Sequence, residues 1–266
     1  MAAMREQMIQ MLWRHASHRS PLSGPIFKFA RRYMLGWYNA NVDIRTNGEA
    51  WLIGHVASRY GERNDVYFDV GANRGEWSAK VLQAAPDARL FAFEPVAATC
   101  RELEGALDGT TAVVSQLALS DRDGTSRISY AAASSDVASL ETVGAGDGEI
   151  LEVRTRTGAG FCEERGIDRI LLLKVDTEGH DLKVLKGFAP LLEQGRIDVV
   201  QFEYNYMSIY SRTFLRDYFG LLEGRYEIGR LLPNRIEFFP YRFTEENFIQ
   251  SNFVAVRRDL MRGRPS

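Results

Sequence analysis

The sequence predicts an α/β fold: a mostly parallel, doubly wound sheet, finished by a terminal antiparallel hairpin and preceded by an N-terminal helical extension. Three observations carry this. Short apolar runs alternate with stretches of helical period between residues 49 and 202, the rhythm of βαβ units. The last third changes to closely spaced strand-like runs. With 266 residues and 45% hydrophobic content, the chain can bury one large core.

Residues 1–45 carry seven Lys or Arg (Arg5, Arg14, Arg19, Lys28, Arg31, Arg32, Arg45) against Glu6 and Asp43. The apolar positions Met8, Ile9, Met11, Leu12 and Trp13 are too few and too interrupted for a signal sequence or a membrane span. One or two amphipathic helices are expected here, punctuated by Ser-Pro-Leu-Ser-Gly-Pro at 20–25. Two roles stay open: packing on the domain or on a second subunit of a homo-oligomer, or lying on a membrane surface, as basic amphipathic helices do.

The main domain, residues 46–258, begins at the Asn47-Gly48 turn with a helix over 49–60 closed by Gly61. A buried strand follows at 66–70, then a helix from Glu76 to about 85, a strand at 90–93, a helix at 97–107 and a third strand at 112–117. From 121 to 157 the helical pattern lapses. Asp123-Gly124 marks a turn, 126–130 and 150–156 read as short strands, and 131–148 is small and Gly-rich. This insertion reads as a lid or a surface loop, with Ser134, Ser135 and Ser139 suited to meeting substrate or water.

A fourth strand at 170–175, a helix over 181–192 and a fifth strand at 197–202 resume the alternation. In that helix Leu182, Leu185, Ala189 and Leu192 recur at spacings of three and four, leaving Lys183 and Lys186 to solvent. Periodicity gives no reason for Gly187. Runs at 226–232, 235–239 and 252–257 read as edge strands, with an antiparallel pair among them, and 259–266 as a tail.

Net charge −2 and a pI near 6.1 give no global attraction to nucleic acid. Cys100 and Cys162 are far apart and outside any CxxC spacing, so neither disulfides nor zinc are expected. A reducing, cytoplasmic setting fits.

In a doubly wound sheet, ligands bind beyond the carboxyl ends of the strands. The first strand delivers Asp69-Val70-Gly71-Ala72-Asn73-Arg74-Gly75 there, and the second delivers Glu94-Pro95. An acidic residue at that point can accept hydrogen bonds from a ribose diol. A dinucleotide fingerprint would require glycines where Asn73 and Glu76 stand. The spacing instead suits S-adenosylmethionine, and a nicotinamide-dependent oxidoreductase is disfavoured.

DVGANRGEWS (69–78), FAFEP (91–95), LALSD (117–121), KVDTEGHDLKVLKG (174–187) and VVQFEYN (199–205) together resemble the FkbM family of class I S-adenosylmethionine-dependent methyltransferases. NGE at 47–49 and SNFVAV at 251–256 are similar to its flanking features. The resemblance spans roughly residues 45–257. It implies a Rossmann-like sheet of seven strands in the order 3-2-1-4-5-7-6 and methyl transfer to a hydroxyl of a sugar, glycan or small molecule. Where members carry a threonine-leucine-aspartate run, this chain has Thr157-Gly158-Ala159-Gly160, and His180 replaces a small or aromatic residue.

Carried over by motif, Asp69, Gly71, Asn73 and Gly75 would hold the methionine moiety, Glu94 the ribose, and Ser120-Asp121 would lie near the adenine. Asn73 could instead cap the next helix, though its place between the glycines favours cofactor contact, and Asp121 could merely start a turn. Hydroxyl methylation needs close placement and a base, and the end of strand four offers Asp176, Glu178 and His180. Asp176 and Glu178 could hold a divalent cation such as magnesium, or one of the three could be the base without metal. Alternatively, Glu178 or Asp181 favours the helix start and His180 is a first-turn residue. Glu203, Tyr204, Asn205 and Tyr206 could wall the acceptor pocket or simply pack. A rival of another class is a non-catalytic nucleoside-binding module that docks a partner through its basic N-terminus.

Overall fold

The computed structural model describes residues 2–17, 21–130 and 149–262. The chain forms two compact units, Met1–Ala40 and Asn41–Ser266. The first consists of α1 (Ala2–Ser17) and α2 (Ser23–Trp37). Pro25 sits in the first turn of α2, where its missing N–H removes no helical bond.

The second unit runs α3 (Glu49–Tyr60), β1 (Val66–Val70), α4 (Glu76–Ala84), β2 (Arg89–Phe93), α5 (Ala97–Ala106) and β3 (Val113–Ser115). After β4 (Ala118–Ser120), β5 (Gly124–Tyr130) and β6 (Glu149–Thr157) come α6 (Gly158–Glu164), β7 (Ile170–Val175), α7 (Asp181–Gly187), α8 (Ala189–Gln194) and β8 (Ile197–Tyr204). The chain closes with α9 (Ser208–Ser211), α10 (Leu215–Leu222), β9 (Tyr226–Leu232), β10 (Arg235–Phe238), β11 (Ser251–Arg257) and α11 (Arg258–Arg262).

The main sheet has the order β10-β9-β11-β8-β7-β1-β2-β3. Strands β3, β2, β1, β7 and β8 are parallel, and β11 enters antiparallel between β8 and β9. The fold is thus the expected mostly parallel α/β sheet, but it has eight strands rather than seven. The added strand β10 pairs with β9 through the two-residue loop Pro233-Asn234. Its exposed Arg235 and Glu237 charge the sheet edge against further pairing.

Strand alternation builds a core on each face. Val66, Phe68 and Val70 of β1 join Phe91, Phe93, Phe161 and Phe188 on one side. Tyr67 joins Leu90, Leu171, Leu172 and Val199 on the other, against Leu52, Ile53 and Val56 of α3 and Trp77 and Val81 of α4. Each fully buried Leu or Phe contributes roughly 1.5–3 kcal/mol, so the two layers fix the register of β1 and β7.

The two short strands expected in the insertion are β5 and β6, and with β4 they form a second sheet, β4-β6-β5, with a parallel β4–β6 pair and an antiparallel β5–β6 pair. Residues 131–148, with Ser134, Ser135 and Ser139, lie outside the described residues. The helix expected over 181–192 is two helices separated at Phe188, because Pro190 suits the first turn of a new helix and not the interior of an old one. Gly187 now has a reason. A Cβ there would overlap the carbonyl oxygen of Ser120, so glycine lets α7 press onto β4.

Candidate active site

Register places one polar row across the buried face beneath α3 and α4. Asp69 of β1 is opposite Lys174 of β7, which is opposite Gln201 of β8. All three are buried. Lys174 Nζ lies 3.4 Å from Asp69 Oδ1 and 3.4 Å from Asp176 Oδ2. Ser78 Oγ donates to Asp69 Oδ2 at 2.7 Å, and Gln201 Nε2 donates to Glu49 Oε1 at 2.6 Å. Burial pulls the Lys174 ammonium down, but Asp69, Asp176 and Glu49 outweigh it and its pKa is raised. The row is a compensated set of buried charges, which cannot lose one member cheaply.

Above it, the β1–α4 turn faces a cavity of about 480 Å³. Its lining includes Gly71, Ala72 and Asn73, Glu94-Pro95 after β2, the apolar Leu117, Leu119 and Ile128, and the polar Asn41, Asn47, Glu49, Lys174, Asp176, Glu178, His180, Glu203, Gln250 and Asn252. The lining cations among the described residues are Arg74 and Lys174, and each is already paired, Arg74 with Glu102.

Glu94 accepts from Val96 N at 2.9 Å and from Asn73 N at 3.2 Å. Burial, with Asp69 nearby, pushes its carboxyl up to about 7. Asp176 continues β7, its N–H donating to the Val70 carbonyl at 3.0 Å. The chain then turns through Glu178 at φ +52° and Gly179 at φ +91°. A left-handed glutamate is an uncommon, strained conformation, held because Asp181 ties the loop down. Asp181 accepts from Thr177 N, Thr177 Oγ1 and Glu203 N at 3.0–3.2 Å.

Ligand oxygens of Asp176, Glu178 and Glu203 lie within 4.8 Å of one another. Burial, then Asp176 and Asp181, push Glu178 up to about 8. Burial and Asp176 push Asp181 up to about 7, and burial with Asp176 and Glu178 raises Glu203 well above the carboxylate range. Carboxyls this close cannot all ionise. Glu203 also accepts from Asn205 Nδ2 and, at 2.8 Å, from Gln250 Nε2.

Residues 69–227, the whole span from the β1 carboxylate to β9, match the Methyltransferase FkbM domain. The chain belongs to the FkbM methyltransferase family. Among curated relatives, the 2-O-methyltransferase NoeI of Sinorhizobium fredii is 30% identical over 68% of this chain and 80% of its own length. The hexuronic acid methyltransferase AglP of Haloferax volcanii is 27% identical over 69% of this chain and 74% of its own. This FkbM protein is therefore an S-adenosylmethionine-dependent methyltransferase, and the nicotinamide reading falls away. No helix among its described residues is long and apolar enough to cross a membrane.

Within the FkbM domain, Gly71, Asn73, Glu94, Asp176, Glu178, His180 and Glu203 converge on the cavity. Asp69 lies beneath it, wholly buried against Ser78 and Lys174. Gly75 is set by packing, since a Cβ would come within 2.7 Å of Leu103 Cδ1. Ser120 and Asp121 do not line the cavity; Ser120 Oγ is 3.0 Å from His180 Nε2 and 3.2 Å from Asp121 Oδ1. His180 is buried, not an exposed first-turn residue. Tyr204 belongs to the core, donating to Glu246 at 2.7 Å and packing near Tyr218 and Phe253, while Asn205 supports Glu203. Tyr206 is exposed.

Reading the motifs missed Lys174, Gln201, Glu49, Asn47, Gln250 and Asn252. Lys174 did carry a signal: a lysine within a strand otherwise apolar demands a buried partner. Gln250 and Asn252 flank the start of β11, whose pairing with β8 is non-local and leaves no trace in spacing.

Proposed function

We propose that the chain methylates a hydroxyl of a sugar, a glycan or a related small molecule. The carrying observation is that one cavity is lined both by the β1–α4 glycine turn and by a crowd of carboxylates and amides. That lining fits S-adenosylmethionine. Glu94 suits a ribose diol, Leu117, Leu119 and Ile128 suit a base, and a wall rich in carboxylates with only paired cations suits a ligand bearing sulfonium and ammonium charge. When bound, the cofactor supplies an electrophilic methyl group whose sulfur departs with the bonding pair.

For the acceptor, Asn41, Asn47, Gln250 and Asn252 offer the amide donors and acceptors that hydroxyl-rich ligands need. The names of the two relatives, one a 2-O-methyltransferase and the other acting on hexuronic acid, support the same acceptor class. Glu178 takes the hydroxyl proton as the oxygen is methylated. Its carboxyl, pushed up to about 8, is matched to base work near neutral pH. Asp176, held by Lys174, orients the acceptor, and His180 holds the loop through Ser120.

A second reading has one supporting observation: the three close carboxylates could share a divalent cation. Dialysis against EDTA followed by magnesium separates the two, the base reading requiring undiminished turnover. The primary test is S-adenosylhomocysteine release with panels of sugars, uronic acids and other hydroxyl compounds. S-adenosylmethionine binding without turnover on any hydroxyl acceptor would favour the non-catalytic module.

A further inference from the structure

We infer that α2 is a surface anchor for anionic phospholipid bilayers, an interaction independent of the reaction proposed above. Ile26, Phe29, Ala30, Tyr33 and Trp37 recur at i, i+3, i+4, i+7 and i+11 and form one side of the helix. Lys28, Arg31 and Arg32 fall on the other side. No residue of α2 is buried; Phe29 is 72% exposed and Trp37 67%. A row of large apolar rings in water is costly, so the side calls for a cover.

Charge decides which cover. No acidic residue occurs between Glu6 and Asp43, whereas Arg14, Arg19, Lys28, Arg31 and Arg32 do. A second copy of the helix would cover the rings but leave the cations of both helices on the outside with no acidic residue of α2 to meet them, whereas an anionic bilayer satisfies both sides at once. Its acyl boundary takes the rings and its headgroups take the ammonium and guanidinium groups. The 15 residues of α2 span roughly 22 Å, short of a bilayer core, and the three cations bar a transverse path. The helix therefore lies in the interface plane. Tyr33 and Trp37 are the amphipathic rings favoured at headgroup depth, and the long Lys28 and Arg32 stems reach upward from it.

Flotation of the full chain with phosphatidylglycerol–phosphatidylcholine vesicles, against phosphatidylcholine alone, tests this. Co-flotation with the anionic vesicles only, weakened by salt, is expected. Each cation near such a surface contributes roughly fivefold, so the combined Lys28→Glu, Arg31→Glu and Arg32→Glu variant should lose at least roughly a hundredfold in partitioning. Phe29→Ser with Trp37→Ser should lose binding without a change of charge. Since none of these side chains is buried, circular dichroism should match the parent. Equal flotation with both vesicle types, binding insensitive to both variants, or a dimer in light scattering that fails to float would overturn the proposal.

Discussion

Gly71 and Asp176 lock the two strand ends that frame the cavity. Gly71 has φ +80°, and a Cβ on it would overlap the carbonyl oxygen of Asp176. The glycine is required by the neighbouring strand as much as by any ligand. Its N–H and that of Ala72 both donate to the Phe93 carbonyl at 3.0 Å, so the same turn ties β2 to β7 across β1.

Gly71→Ala should therefore cost on the order of 2–3 kcal/mol, combining left-handed strain with displacement of the β7 end. Thermal melting should show the loss, and calorimetric titration should show weakened S-adenosylmethionine binding. A variant with parental melting temperature and affinity would contradict the lock.

Lys174 is the compensating charge for Asp69 and Asp176. Lys174→Met leaves the buried Asp69 carboxylate without its cation and should destabilise by roughly 3–5 kcal/mol. Asp69→Asn in that background should restore part of the loss, since it removes the stranded charge. A double-mutant cycle in urea gives the coupling directly; strict additivity would mean that the pair does not interact as described.

Much of this was readable in the chain. The strands at 66–70 and 170–175 stand out because their residues are wholly buried and hence continuously apolar, and Asp69 and Lys174 are visible as exceptions within them. Glu94, Asp176 and Glu178 could be found because chain order delivers each to a strand end. Ser120 has no such handle: it ends β4, which pairs with β6 outside the main sheet, a pairing between segments far apart in sequence. Tyr204 looked like a pocket residue because strand five seemed to end at 202; β8 continues through Tyr204 and buries it.

His180 separates position from chemistry. Its ring nitrogen bonds Ser120 at 3.0 Å beside the turn that follows β7. His180→Ala should cost about 1 kcal/mol through the lost bond, the Ser120 hydroxyl still donating to Asp121, and Ser120→Ala in that background should add little. If His180 only positions the loop, the pH dependence of kcat should keep its shape while kcat falls. Loss of the ascending limb in His180→Ala would instead make the histidine the base.

Glu178 should give activity and stability opposite pH dependences. Its carboxyl is raised from the ordinary range near 4.5 to about 8. Below pH 4.5 both folded and unfolded chains hold the proton, so stability is unaffected by this group. Between about 4.5 and 8 the unfolded chain releases it and the folded chain keeps it, so stability falls as pH rises through that window. A base must be ionised, so kcat/KM should climb over the same upper range, with a midpoint near 8. Glu178→Gln should flatten both curves at once: the apo melting temperature declines less steeply with pH, and turnover drops by roughly 10²- to 10⁴-fold with S-adenosylmethionine binding retained. Asp181 and Glu203 are raised as well, and their protons leave part of the stability slope in place. The decisive comparison is therefore the difference between parent and variant. A variant whose melting curve and pH–rate profile both overlay the parent's would remove Glu178 from the chemistry.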